Sequence, residues 1–197
     1  MLCYRRKLPH WVPDDSVIFV TWRLAGSVPP SRPEILTAYN TGRIPFVRKD
    51  SELDCATTGP FWLRDARVAG MVEDAIQFGE TVRGFYALYA WVIMPNHVHM
   101  VIEPKAALPS VMRRLKGRTG RVANSILRRT GMPFRQDESY DHWIRSSNEL
   151  HETIAYVESN PVKARLVDAA EQWPWSSGRF RADDTNRWSA PRGWLEG

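Results

Sequence analysis

A chain of 197 residues with 43% hydrophobic and 11% aromatic content can bury its own core in one domain, which excludes a disordered chain or one that depends on disulfide staples. No apolar run approaches the roughly 18 residues of a membrane span, and no apolar stretch follows the basic N-terminus Met1–Lys7, so neither a transmembrane helix nor a secretory leader is expected. The formal charge is +5, and the only two cysteines, Cys3 and Cys55, stand in no zinc-binding spacing, so a reducing cytoplasmic setting is the default.

Residues 16–24, SVIFVTWRL, are β-branched and aromatic and predict a buried strand. The Pro- and Gly-rich segment 26–60 predicts a loop with one short helix around Glu34–Tyr39. A helix is expected over 61–79, with Val68, Val72, Ala75 and Ile76 at helical spacing and Gly79 at its end. Residues 83–94 predict a strand, joined by the turn Met94-Pro95-Asn96 to another at 97–103. Pro109-Ser110 opens a helix that runs to about Arg129, with Val111, Leu115, Val122 and Ile126 as its apolar stripe. Gly117 and Gly120 weaken that helix by about 1 kcal/mol each relative to Ala, and mark a kink or a close approach. Residues 134–144 read as extended, and Ser146-Ser147-Asn148-Glu149 has the capping-box pattern of a helix starting near 147 and ending at Pro161. Trp173-Pro174-Trp175-Ser176-Ser177 forms a rigid aromatic clasp. The order β, α, β, β, α, extended, α matches a split β-α-β arrangement of the ferredoxin-like kind, in one domain over 1–181 with a polar tail at 182–197.

Charge is unevenly placed. No acidic residue lies between Glu103 and Asp137, whereas Lys105, Arg113, Arg114, Lys116, Arg118, Arg121, Arg128, Arg129 and Arg135 all do. A field of one sign this dense points to a polyanion, the other reading being a solvated helix face.

Only five residues are histidine, and two of them open one strand as His97-Val98-His99. Side chains at i and i+2 of a strand point the same way, with Cα atoms roughly 6.5–7 Å apart, so two imidazoles can converge on one ion. The alternative is a pair of ordinary buried histidines, each hydrogen-bonded to a neighbour. A third ligand is needed, and the helix after Ser146 offers one. At about 100° per residue, Tyr156 and Asn160 sit one turn apart and roughly 90° from the stripe Leu150, Ile154, Val157. They either face the histidines or serve as a boundary tyrosine and a helix-end amide.

The segments VIMPNHVHMVIEP, QDESYDHWIR, AYVESNPVKARLV and WPWSS stand in this order. Together they resemble the single-tyrosine HUH transposases, most closely the REP-associated tyrosine transposases of bacteria. The resemblance runs from Phe19 to Ser177. It implies an α+β fold, a ferredoxin-like antiparallel sheet with helices on one face plus a C-terminal helix bearing the nucleophile. It implies Mg²⁺ or Mn²⁺ on His97, His99 and Asn160, and Tyr156 as the nucleophile. Asn160 departs from the Gln of many insertion-sequence relatives, and Phe134-Arg135-Gln136 stands where Phe-Trp-Gln is expected. The implied partner is single-stranded or hairpin DNA of REP or BIME type, in a monomer or a dimer.

The implied chemistry is nicking and joining of single-stranded DNA through a 5′-phosphotyrosine. An unperturbed phenol is about one part in a thousand ionised at pH 7, a deficit of roughly 4 kcal/mol that a cation on the scissile phosphate offsets in part. Arg113, Arg114, Lys116, Arg118, Arg121, Arg128 and Arg129 are the expected backbone contacts. Two other functions remain open: a hairpin-binding regulator without catalysis, and a hydrolase that activates water and leaves no covalent adduct. Tyr140 is the second candidate nucleophile.

Overall fold

Strands that are apolar on both faces need cover on both, and this requirement sets the architecture. The computed structural model describes residues 2–5, 9–12, 16–27, 59–136 and 139–180. The predicted helix at 34–39, Cys55, Asp137, Glu138 and the tail at 182–197 lie outside the described residues. Beyond the predicted elements, β1 (Leu2–Arg5) and β2 (Pro9–Val12) pair antiparallel in a two-stranded sheet. The main sheet contains β3 (Ile18–Arg23), β4 (Tyr86–Ile93), β5 (His97–Pro104) and β6 (Tyr140–Trp143), in the order β4-β5-β3-β6 with every neighbouring pair antiparallel.

Among the described residues three α-helices cover the sheet: α1 (Ala66–Thr81), α2 (Leu108–Ile126) and α3 (Ser147–Lys163). On one face Val20, Trp22, Met100 and Ile102 pack with Val72 and Ile76 of α1 and with Val111 and Leu115 of α2. On the other, Phe19, Val92 and Val101 pack with Leu150, Ile154 and Val157 of α3. The fold is therefore the expected α+β arrangement, with α1 and α2 on one face and the C-terminal helix on the opposite face. No helix among the described residues is long and apolar enough to cross a membrane.

Local chemistry accounts for the element ends. Asp65 caps α1 by accepting from the backbone N–H of Arg67 at 3.0 Å, and Ser146 caps α3 by accepting from that of Glu149 at 3.1 Å. Gly79 lies inside α1 rather than ending it. A Cβ there would collide with the Tyr86 hydroxyl, which donates to the Ile76 carbonyl at 2.6 Å. Pro161 also lies inside its helix. α3 continues to Lys163 and ends where Arg165, at φ 55°, donates to Val162 and Leu166 donates to Pro161. α2 ends in the same way at Arg128, φ 54°.

Two stripes differ from the sequence pattern. Val122 is 38% exposed, and α2 instead buries Thr119 and Ala123. Thr119 can go inside because its hydroxyl donates to the Leu115 carbonyl at 2.7 Å. In β4 the register shifts between Leu88 and Ala90, a bulge that turns Tyr89 and Ala90 to the same cluster. The Trp-rich clasp seals the outer edge of β4: Ile93 donates to the Trp175 carbonyl at 2.8 Å, the Trp173 indole donates to the Ile93 carbonyl at 3.0 Å, and Ser176 bridges Val92. Covering an edge in this way removes a template for unwanted strand pairing.

Candidate active site

Strand periodicity puts His97 and His99 on one face of β5, and both side chains are fully buried. Their ring centroids are 4.5 Å apart with planes at 63°. Burial holds His99 neutral by lowering its pKa to about 3, because a charged imidazole would lose its hydration there. In the antiparallel register Thr21 of β3 lies opposite His99, and its Oγ1 is 2.8 Å from His99 Nδ1. Asn96 lies behind His97, with Oδ1 2.6 Å from His97 Nδ1.

Helix α3 crosses above this face. The ring of Tyr156 is 6.2 Å from that of His99, centroid to centroid. Phe19 lies beside both, stacked on His99 at 5.2 Å and edge-on to Tyr156 at 6.5 Å. The structure therefore brings Tyr156 to the histidines. It also makes Tyr156 part of the apolar cluster with Leu150, Ile154 and Val157, since the buried face of α3 is wider than the predicted stripe. Lys163, two turns further along, places its Nζ 4.3 Å from the centre of the Tyr156 ring. Asn160 is fully buried, one turn beyond Tyr156 on the same helix.

Tyr140 belongs to the same face. It lies opposite Thr21 in register, half-buried, with its ring 6.4 Å from Phe19. Next to it, His142 Nε2 pairs with Glu149 Oε1 at 2.8 Å. Burial alone would raise the Glu149 pKa, but this bond and the Arg145 backbone N–H at 2.7 Å lower it on balance. His151 is exposed and bonds the Ser147 carbonyl at 2.7 Å.

Among the described residues no three His, Cys, Asp or Glu side chains gather as a metal-holding cluster. A divalent cation at the histidines would thus need a ligand of another kind, and a carboxamide such as that of Asn160 is one. Neutral imidazole with amide oxygen suits Mn²⁺ and is tolerated by Mg²⁺, so the donor set fits.

The predicted basic residues do not share this face. α2 packs on the opposite side of the sheet, with Arg113, Arg114, Arg118, Arg121 and Arg128 exposed. Arg114, Arg118 and Arg121 join Arg83 around a 340 Å³ groove between α1 and α2 that also contains Phe78 and Phe85. Guanidinium groups lie over both rings, Arg118 at 5.3 Å from Phe78 and Arg83 at 5.3 Å from Phe85. Lys116 is a correction: only 4% is exposed, because its position in the helix turns towards the interior. The Arg129 guanidinium lies over the Trp62 ring, 3.4 Å from its centre, and donates to the Pro133 carbonyl, which ties it to the end of α2.

Residues 71–160, which hold the histidine pair and Tyr156, match the family described as "Transposase IS200 like". This segment is similar to the IS200-like transposases. The chain is 25% identical over 93 residues to a REP-associated tyrosine transposase of Escherichia coli (strain K12), a match covering 47% of this chain. It spans about half, 54%, of the length of that curated relative. The fold is similar to a solved structure of a REP-associated tyrosine transposase bound to a REP hairpin. The TM-score is 0.58 at 19% identity, covering 97% of this chain and 93% of the other.

Phe19, Thr21, Asn96 and Lys163 were not among the site residues expected from sequence. Period-two alternation in β3 puts Phe19 and Thr21 on one face, but only the β3–β5 register shows that it is the histidine face.

Proposed function

We propose that this protein is a DNA-strand transposase that nicks and rejoins single-stranded DNA next to a hairpin, with Tyr156 as the nucleophile. One observation carries the reading: the Tyr156 ring lies 6.2 Å from the ring of His99, with Phe19 packed against both. The phenol oxygen attacks phosphorus, the Tyr–O–P bond forms, and the P–O3′ bond breaks. The 3′ oxygen leaves as a hydroxyl after gaining a proton, and the phenol proton is lost. The 5′-phosphotyrosine keeps the phosphodiester energy for rejoining, so no nucleotide cofactor is consumed.

His97, His99 and Asn160 would hold Mg²⁺ or Mn²⁺, which when bound supplies positive charge to the scissile phosphate. The remaining work falls to the chain's own groups. Phe19 and the α3 packing keep the phenol oriented and exclude water from its ring. Lys163 places an ammonium over the face of the Tyr156 ring, where its field favours negative charge developing on the phenol.

The partner is single-stranded or hairpin DNA, as in the solved relative's complex with a REP hairpin. The arginine groove between α1 and α2 suits phosphates, and Phe78 and Phe85 offer faces for bases. It lies across the sheet from Tyr156, so a DNA touching both must pass around a sheet edge. Incubating the protein with 5′- and 3′-labelled hairpin oligonucleotides and Mn²⁺ tests the reading. A covalent adduct that carries the label 3′ of the nick supports it. Tight hairpin binding with no adduct would make the protein a binding regulator. Cleavage with no adduct would make it a water-activating hydrolase.

A further inference from the structure

The turn before the histidines is held by its main chain. Leu24 donates to the Asn96 carbonyl at 2.9 Å, Leu63 to the Pro95 carbonyl at 3.2 Å, and Met94 to the His97 carbonyl at 2.9 Å. None of these bonds uses the Asn96 side chain. Nor does the backbone demand asparagine: among the described non-glycine residues only Arg128 and Arg165 have positive φ. Yet the Asn96 side chain is buried, and its Oδ1 lies 2.6 Å from His97 Nδ1.

A carboxamide oxygen only accepts hydrogen bonds. His97 Nδ1 must therefore carry the proton, and in the neutral ring Nε2 becomes the nitrogen with the lone pair. The Thr21 hydroxyl on His99 Nδ1 can donate or accept, so it adapts to either tautomer of that ring. We infer that Asn96 is a positioning residue that locks His97 in the Nδ1–H tautomer and presents Nε2 to a divalent cation, while Thr21 is the adaptable partner of His99. The inference rests on the metal-site reading above. Polar groups behind a ligating histidine fix its tautomer and orientation, and their loss typically weakens metal affinity 10- to 100-fold.

The test is a Mn²⁺ titration of the metal-free protein, followed by electron paramagnetic resonance, alongside imidazole ¹⁵N NMR. Asn96→Leu should weaken Mn²⁺ binding by about 10- to 100-fold and allow His97 to populate the Nε2–H form. Asn96→Asp keeps an acceptor in place and should keep both the affinity and the tautomer. Thr21→Val should weaken binding less than Asn96→Leu. The NMR measurement on the unaltered chain needs no variant to fold: His97 protonated at Nε2 there would overturn the inference. So would Mn²⁺ binding by a folded Asn96→Leu variant within about twofold of the unaltered chain. Should the unaltered chain bind no Mn²⁺ while His97 is protonated at Nδ1, the metal-site reading fails and only the tautomer assignment survives.

Discussion

The rings of Tyr156 and His99 lie 6.2 Å apart, one carried by a helix and the other by the strand beneath it. Phe19, fully buried, touches both and sets this spacing. Trimming Phe19 to Leu should cost stability by about 1 kcal/mol, as a moderate shape change in a packed core does. Adduct formation should fall by more than ten-fold, while hairpin affinity stays within about twofold. An unchanged single-turnover adduct rate would show that Phe19 does not hold the pair.

Tyr156→Phe keeps the ring and its packing and removes only the hydroxyl. The covalent adduct should vanish while the hairpin is still bound and the melting temperature moves little. Tyr140→Phe should leave the adduct intact. Denaturing electrophoresis of labelled DNA reads both outcomes, and an adduct that depends on Tyr140 alone would move the nucleophile to β6.

His99 also predicts an acid-sensitive fold. Its folded pKa of about 3 lies below the ordinary value of 6.5, so between these values the unfolded chain binds a proton that the folded chain refuses. Stability is then fully present above about pH 6.5 and falls as pH drops towards 3, by up to roughly 1.4 kcal/mol per pH unit from this group. Urea unfolding of the metal-free protein at several pH values measures the slope. His99→Asn should flatten it.

The groove arginines should act through salt. Replacing Arg114 and Arg118 by Ala removes about two phosphate contacts and should lower the slope of log affinity against log salt by about 1.4 to 1.8. The effect should be similar for different hairpin sequences. A binding isotherm series from 50 to 300 mM salt decides the matter, and an unchanged slope would place the DNA elsewhere.

Gly79 tests the other layer of the fold. Ala is the better helix former by about 1 kcal/mol, but its Cβ would meet the Tyr86 hydroxyl. Gly79→Ala should therefore destabilise by about 1 to 3 kcal/mol. Adding Tyr86→Phe should recover part of that loss. Equal melting temperatures for Gly79→Ala and the unaltered chain would mean that Tyr86 shifts at no cost.

Local rules carried much of this molecule in the sequence. Period-two alternation put His97 and His99 on one side of a strand, Ser146 and Glu149 marked the start of α3, and one turn of helix separated Tyr156 from Asn160. These are statements about neighbours a few residues apart, and backbone geometry alone decides them.

Which surfaces meet was decided only by the tertiary structure. Strand order β4-β5-β3-β6 and the β3–β5 register brought Thr21 and Phe19 beside His99, across 78 to 80 residues of chain. The same packing sent α2 to the far face, away from the histidines, and turned Lys116 inwards. Charge and periodicity mark a residue's helix and its position around that helix, but a sheet has two faces. The choice between them depends on how the apolar stripes of all three helices are covered together, which no local pattern records.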